Sequence, residues 1–375
     1  MPYGYLFPVL LIGFCAAVAV IGPRPPHTTQ SYWGYWATFL INEQPFLGFY
    51  LLVAATVPAW LQGDLASPGG KVAFGIAVLD VVALAVLVWR ALPTGMALRQ
   101  ALAEGGIDYR PGRRPWGRIL FAPGAVRRRN VVRVRNVAYG DAGKHNLLDV
   151  YHRRDRPAGA PVFVFMHGGG LRMGSKNREA RALVNYLAAQ GWVCVSANYR
   201  LAPAAQFPDH LVDAKKVIAW VRARAGDYGA DPRTIIASGT SAGAHLASML
   251  GLTPGDPEFQ PGFESADTSV SAVIGFSGYY GRVAGPGSSP LDRLRAAPPF
   301  FFVHGDKDSS TLIEDTRDFA TRLRDVSGNQ VLLAELPGGQ HAFDLLFALR
   351  YSYVIEAVAA YCEARRLPAT ELREV

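Results

Sequence analysis

Cysteine is nearly missing: only Cys15, Cys194 and Cys362 occur in 375 residues. Three scattered cysteines exclude a disulfide scaffold and a cysteine-based zinc site. Cys194 sits in an apolar run and reads as a core thiol. Charge is scarce too, at 18% of residues against 50% hydrophobic, with a mean hydropathy of +0.11. So apolar a chain is not intrinsically disordered. No internal repeat and no long low-complexity stretch is present.

The little charge there is falls unevenly. Residues 1–89 hold five charged side chains, Arg24, Glu43, Asp64, Lys71 and Asp80. Residues 90–135 hold eleven arginines against two acids, a net of +9. Residues 136–375 balance 25 bases against 25 acids. The basic excess therefore belongs to one short segment, which excludes a nucleic-acid-binding face on the main part of the chain.

The uncharged start reads as membrane-embedded. Apolar runs cover residues 5–21, 46–61 and 72–89. Each is close to the ~17–25 residues that a spanning helix needs. A signal peptide is the competing reading of the first run, but residues 1–4 supply no basic n-region. Core helices are the competing reading of the others, but core helices show a polar face. About three transmembrane helices are expected. Arg90, Arg99, Arg110, Arg113 and Arg114 flank the third, so the positive-inside rule puts that flank and the large domain in the cytoplasm. Three spans then put the N-terminus outside. The arginines either meet anionic lipid headgroups or form a solvated linker. Trp33, Trp60 and Trp89 suit interfacial positions. Asp80 lies mid-span, where an acid is functional by default or paired within the bundle.

Three units follow: a membrane region at 1–97, a basic linker or lid at 98–130, and a catalytic domain at 131–375. Gly and Pro pairs punctuate the linker, so only short helices fit there. Beyond it, strand and helix patterns alternate. Strands are expected at 131–138, 147–152, 161–166, 192–199, 234–238, 272–276, 300–303 and 331–336. Helices are expected at 177–190, 209–225, 242–250, 311–326 and 342–365. This alternation predicts an α/β fold, an eight-stranded, mostly parallel sheet with helices on both faces. Reactive residues then belong at the carboxyl ends of strands.

Three segments carry chemistry, and each follows a strand. Gly239-Thr240-Ser241-Ala242-Gly243 is a G-x-S-x-G between a strand and a helix, the sharp turn that exposes a serine hydroxyl. His167-Gly168-Gly169-Gly170 supplies unobstructed backbone N–H groups. Gly168, Gly169 and Ala242 are the expected oxyanion donors. His167 precedes the nucleophile and orients its loop. Downstream, Asp308 and His341 complete a serine, acid, histidine order. His341 takes the Ser241 proton, and the acid holds the ring. Asp306 is the alternative acid. His304 reads as strand-end packing.

These segments make residues 130–365 resemble the α/β-hydrolase fold, in particular the hormone-sensitive-lipase-like carboxylesterases. Tyr199-Arg200-Leu201-Ala202-Pro203, Phe207-Pro208 and Asp213 match that group as well. The stretch from Ser241 to Ala247 also resembles the feruloyl-esterase-like branch, in which His245 is a helix residue. Two departures stand out. Asp308 is followed by Ser309-Ser310 where the group usually has Pro-Leu. Only residues 277–299 separate the sixth and seventh strands, too few for a full helical cap, so the site is expected open or lidded by 98–130. The resemblance does not cover residues 1–97; it implies a serine carboxylesterase or lipase acting on small-molecule or lipid esters, which the apolar start of the chain would anchor in a membrane, and nothing implies a metal or organic cofactor. An acyltransferase on the same residues is the alternative. A serine peptidase and a non-catalytic receptor are the lesser ones.

Overall fold

The computed structural model describes residues 3–22, 29–156 and 158–366. The chain opens with four helices, α1 (Tyr3–Ile21), α2 (Thr29–Glu43), α3 (Pro45–Leu61) and α4 (Pro68–Ala91). Buried residues on α1 fall at Tyr5, Val9, Ile12, Ala16 and Ala19, and on α4 at Ala73, Ala77, Asp80, Leu84, Leu87 and Ala91. That alternation of three and four is a helix–helix seam. Gly13 of α1 faces Asp80, and Arg90 Nη1 donates to Val20 O at 2.6 Å, so α1 and α4 run parallel. α3 returns antiparallel between them: Thr56 donates to the Tyr5 hydroxyl at 3.2 Å, and Gly48 meets Leu84. A side chain at Gly13 would lie 2.5 Å from Asp80 Oδ1, so glycine makes room for that buried acid.

The bundle is apolar on its outside as well. Of the 26 large hydrophobic side chains exposed among the described residues, 22 lie between Tyr3 and Met96. Among the described residues two helices are long and apolar enough to cross a membrane, α1 and the stretch Pro68–Glu104. The second apolar run forms the 17-residue α3, which qualifies only together with residues Ala37–Glu43 across a 98° bend. Pro45 makes the bend, since it has no N–H to continue α2 and opens α3. α2 was not anticipated from the sequence. The Trp33 side chain lies outside the described residues.

Helix α5 (Thr94–Glu104) and the six-residue α6 (Trp116–Phe121) lead into the sheet. The linker straps along one helix, α11 (Leu349–Ala364), through Tyr109 to Tyr353 O and Arg114 to Ser352 and Glu356.

The sheet has eight strands: β1 (Val131–Ala138), β2 (Leu147–Arg153), β3 (Ala160–Met166), β4 (Val193–Ala197), β5 (Ala230–Thr240), β6 (Ala272–Phe276), β7 (Phe300–Gly305) and β8 (Val331–Leu336). Their order is β1-β2-β4-β3-β5-β6-β7-β8. β2 pairs antiparallel with β1 and β4, and every other junction is parallel. Helices α7 (Arg181–Ala189), α8 (Asp209–Arg224), α9 (Ala242–Leu252) and α10 (Ile313–Ser327) complete the two layers. The strand period of two divides the core. Phe163 and Phe165 of β3 pack with α5, α7 and α11, while Val162 and Val164 pack with α8, α9 and α10.

Differences from expectation are local. β4 is shorter and β5 longer than their apolar runs. α7 starts at Arg181 because Lys176 is drawn to Asp149 and Ala180 takes a positive φ. The last helix starts at Leu349, seven residues later than expected, because 342–348 form the loop after His341.

Candidate active site

Steric exclusion builds the serine turn. β5 ends at Thr240 and α9 begins at Ala242, so Ser241 alone makes the corner. Its φ of 57° and ψ of −117° are strained for an L residue. A Cβ on Gly239 would sit 2.2 Å from the Gly243 carbonyl carbon, and one on Gly243 would sit 2.1 Å from Met166 O. Glycine at both places is what lets strand and helix meet this closely.

The glycine loop leaves β3 alongside. His167 stacks on Tyr199 at 4.3 Å, its Nδ1 lies 2.7 Å from Gly168 O, and its carbonyl accepts the Tyr199 hydroxyl at 2.7 Å. Burial holds its pKa down at about 4, so the ring is neutral. Gly169 has φ 112°, and a Cβ there would meet Met173 O at 2.1 Å. His245 is buried within α9 with Nδ1 on Tyr279 O, away from any acid.

Asp308 and His341 come together. His341 Nδ1 lies 2.8 Å from Asp308 Oδ2, and the acid also accepts the N–H groups of Ser310 at 2.8 Å and Thr311 at 2.9 Å. Burial alone would push the Asp308 carboxyl up. The His341 charge and the bonds from His304 and His341 outweigh it and hold Asp308 well below the usual carboxylate range. Burial likewise favours neutral His341, but the Asp308 carboxylate wins and raises its pKa above 6.5. Asp306 is directed elsewhere, accepting Gly338 N–H at 2.7 Å. No hydrogen bond joins Ser241 Oγ to His341 among the described residues, though both line one cavity. Such contacts commonly tighten only once substrate is bound.

Several residues at the site escaped the sequence reading. His304 is more than packing: its Nε2 lies 3.2 Å from Asp308 Oδ2, and Thr316 holds its other nitrogen at 2.7 Å. Gln340 clamps two loops. Its Oε1 accepts Ser309 N–H at 2.8 Å and His341 N–H at 2.8 Å, while its Nε2 reaches Thr38 of α2 at 3.3 Å. Glu43, at the end of α2, accepts Gln340 N–H at 3.1 Å and pairs with buried Arg350 at 2.5 Å. The one available signal was Glu43 itself, a lone acid in an apolar region. Glu179 and Asp344 form a buried acidic pair beside His341. Burial, then the neighbouring Asp344, pushes Glu179 up to about 7, and the Gly168 amide facing it acts the other way. Burial pushes Asp344 up to about 6 although Thr240 donates to it.

A cavity of about 770 Å³ joins these parts. Its wall includes Gly168, Gly169, Ser241, Ala242 and His341, with residues of the 279–284 segment and Tyr35 of α2. Nothing between residues 98 and 130 lines it, so of the two readings of that segment, linker or lid, the cavity wall favours the linker. No group of side chains fit to hold a metal occurs among the described residues.

The chain matches known proteins. A family model described as BD-FAE matches residues 148–283. The Probable carboxylic ester hydrolase LipM of Mycobacterium tuberculosis is 38% identical over 306 residues, covering 72% of this chain and 70% of that protein. Esterase LipQ of the same organism is 39% identical, covering 73% and 69%. Among solved structures, Thermogutta terrifontis esterase 2 phosphoramylated by tabun superposes with a TM-score of 0.55 at 26% identity, covering 63% of this chain and 95% of that one.

Gln340 gives a direct test of the clamp. Gln340→Ala frees both loops, and kcat on a p-nitrophenyl ester is expected to fall about 10²-fold with KM little changed, as for small misplacements of reacting groups. An unchanged kcat would show that the loops hold themselves.

Proposed function

The chain belongs to the α/β-hydrolase carboxylesterase family and is a carboxylic ester hydrolase; from that premise we propose that it works through an acyl-enzyme on Ser241, with Asp308 and His341, while anchored in a membrane. The observation that carries the reading is one cavity shared by a strained serine, a glycine loop and a histidine bonded at 2.8 Å to a buried carboxylate.

Ser241 Oγ attacks the ester carbonyl carbon while its proton passes to His341 Nε2, since Nδ1 is held by Asp308. The carbonyl oxygen becomes an oxyanion beside the N–H groups of Gly169 and Ala242, which no acceptor among the described residues takes. Gly168, expected as a further donor, shares its amide with Glu179. The imidazolium then protonates the departing alcohol as the C–O bond breaks. Water, deprotonated by the same ring, releases the acid and restores Ser241. The phosphoramylated state of the Thermogutta esterase, and another structure of it with butyrate bound, support a nucleophile and an acyl pocket of this kind. Tyr35 on the cavity wall ties the site to the apolar bundle and favours esters with a lipid-like arm.

Ser241→Ala should lower kcat by several orders of magnitude, up to about 10⁶ as for knockouts of comparable triads. Paraoxon should modify the wild type and spare the variant. Equal modification of both would remove Ser241 from this role.

His341 serves as base only when neutral, and its folded pKa lies above 6.5. Activity should therefore be present at higher pH and lost as pH falls, with a midpoint above 6.5. Asp308→Asn removes the raising charge, so the midpoint should move down, with kcat reduced by up to about 10⁴. A midpoint that stays put would assign the limb to another group, Glu179 being the nearest candidate.

We place α1, α3 and α4 across the bilayer with the catalytic domain in the cytoplasm. The support is the outward apolar surface of the bundle and the net +9 of residues 90–135 after α4, against the single Lys71 near its other end. Trp60 and Trp89, both exposed, mark opposite ends of the bundle. A reporter fused after Val375 should fluoresce as a cytoplasmic protein. Alkaline phosphatase activity there would reverse the orientation.

A further inference from the structure

The basic segment is used up only in part by contacts to the fold. Arg90 caps α1, Arg114 pairs with Glu356, and Arg118 lies over Phe347 at 3.7 Å. Four of the remaining arginines converge. Arg133 and Arg135 point from the same face of β1 by the strand period of two. Arg127 and Arg128 arrive from the loop before it, and Arg181 from the start of α7. Together they line a separate cavity of about 190 Å³ with Tyr151 at its floor. No carboxylate among the described residues lines it. Asp149 offsets Arg133 at 2.7 Å, but Lys176 shares that acid at 2.8 Å. Arg127, Arg135 and Arg181 have no side-chain partner among the described residues. The Nε of Arg128 is buried with no acceptor, a donor that wants an explanation. Burial, then the charge of Arg128, pulls the pKa of neighbouring Arg118 down, so the repulsion is already felt.

We propose that this cavity binds a phosphate-bearing anion. Guanidinium forks match phosphate oxygens two at a time, and an anion there would satisfy Arg128 and offset the like charges together. Two sources share that chemistry, a lipid headgroup and free phosphate. The headgroup is within reach. Exposed Trp116 on α6 meets Phe46 edge-on and exposed Phe121 stacks on Tyr50, both at the start of α3. Arg127 follows Phe121 by six residues, at most about 20 Å of chain.

The test uses the full chain in an uncharged maltoside detergent. Its thermal midpoint is followed with ether-linked phosphatidylglycerol, which has no carboxylic ester to cleave, and separately with inorganic phosphate. A ligand of the folded state raises the midpoint saturably. The wild type should be stabilised, and the apparent affinity should drop at least tenfold in an Arg127→Gln, Arg135→Gln, Arg181→Gln variant that still hydrolyses p-nitrophenyl butyrate normally. Should the triple variant not fold, Arg127→Gln alone, at an exposed side chain, should show a smaller loss in the same direction. Stabilisation by the lipid at concentrations where phosphate does nothing identifies a headgroup site. Equal effects of both identify a free-phosphate site. No stabilisation of the wild type by either, or equal stabilisation of wild type and variants, overturns the proposal.

Discussion

The buried pair Glu43–Arg350 fixes the relation between the two halves of the molecule. Burying two charges is expensive, and an ion pair returns that cost only when its remaining valences are met. Here they are. Glu43 also accepts from Asn42 at 2.7 Å and from Gln340 N–H at 3.1 Å, and Arg350 also donates to Pro337 O at 3.0 Å. Losing one partner of such a pair costs about 3–5 kcal/mol, because the other charge is left buried alone. The pair therefore makes the position of the His341 loop conditional on α2, a helix some 300 residues earlier in sequence. The N-terminal region is thus part of the scaffold that positions this loop.

That scaffold sorts acids by environment. Asp308, Asp344 and Glu179 are all buried beside the same histidine. Asp308 accepts two backbone N–H groups and faces two imidazoles, so it stays ionised. Asp344 is left with an unpartnered Oδ1 and Glu179 with an unpartnered Oε2, so burial prevails and both shift toward the neutral form. Charge near His341 is thereby concentrated on the one carboxylate that touches its Nδ1, as the proposed role of that pair requires.

What the sequence discloses follows from how local its causes are. The Gly239, Ser241 and Gly243 turn is legible because each glycine is required by contacts within the turn or with the adjoining strand. β6 and β8 match their apolar runs residue for residue because both sheet faces are covered. The contribution of α2 was hidden, since its polar residues Thr38, Asn42 and Glu43 acquire meaning only against partners far along the chain. His304 was misread for the same reason: strand position explains its burial, while only the fold brings it to Asp308. Linker and lid could not be told apart at 98–130 because Gly and Pro pairs announce a break in helix without saying which face of the domain the chain then crosses.

The linker's course bears on how the site is held against the N-terminal bundle. α5 covers one face of β8, packing Leu98 and Leu102 with Leu332, Ala334 and Leu336, and Gln330 Nε2 donates to Gly105 O at 3.1 Å just beyond it. From there the chain follows α11 through Tyr109, Gly112 and Arg114. The domain is thus held twice, by α2 at the His341 loop and by the linker along α11. A single flexible tether would let the domain tumble against the bundle, whereas two separated attachments fix its position and its rotation. With Tyr35 on the cavity wall, the site is then presented at a constant place relative to the apolar bundle.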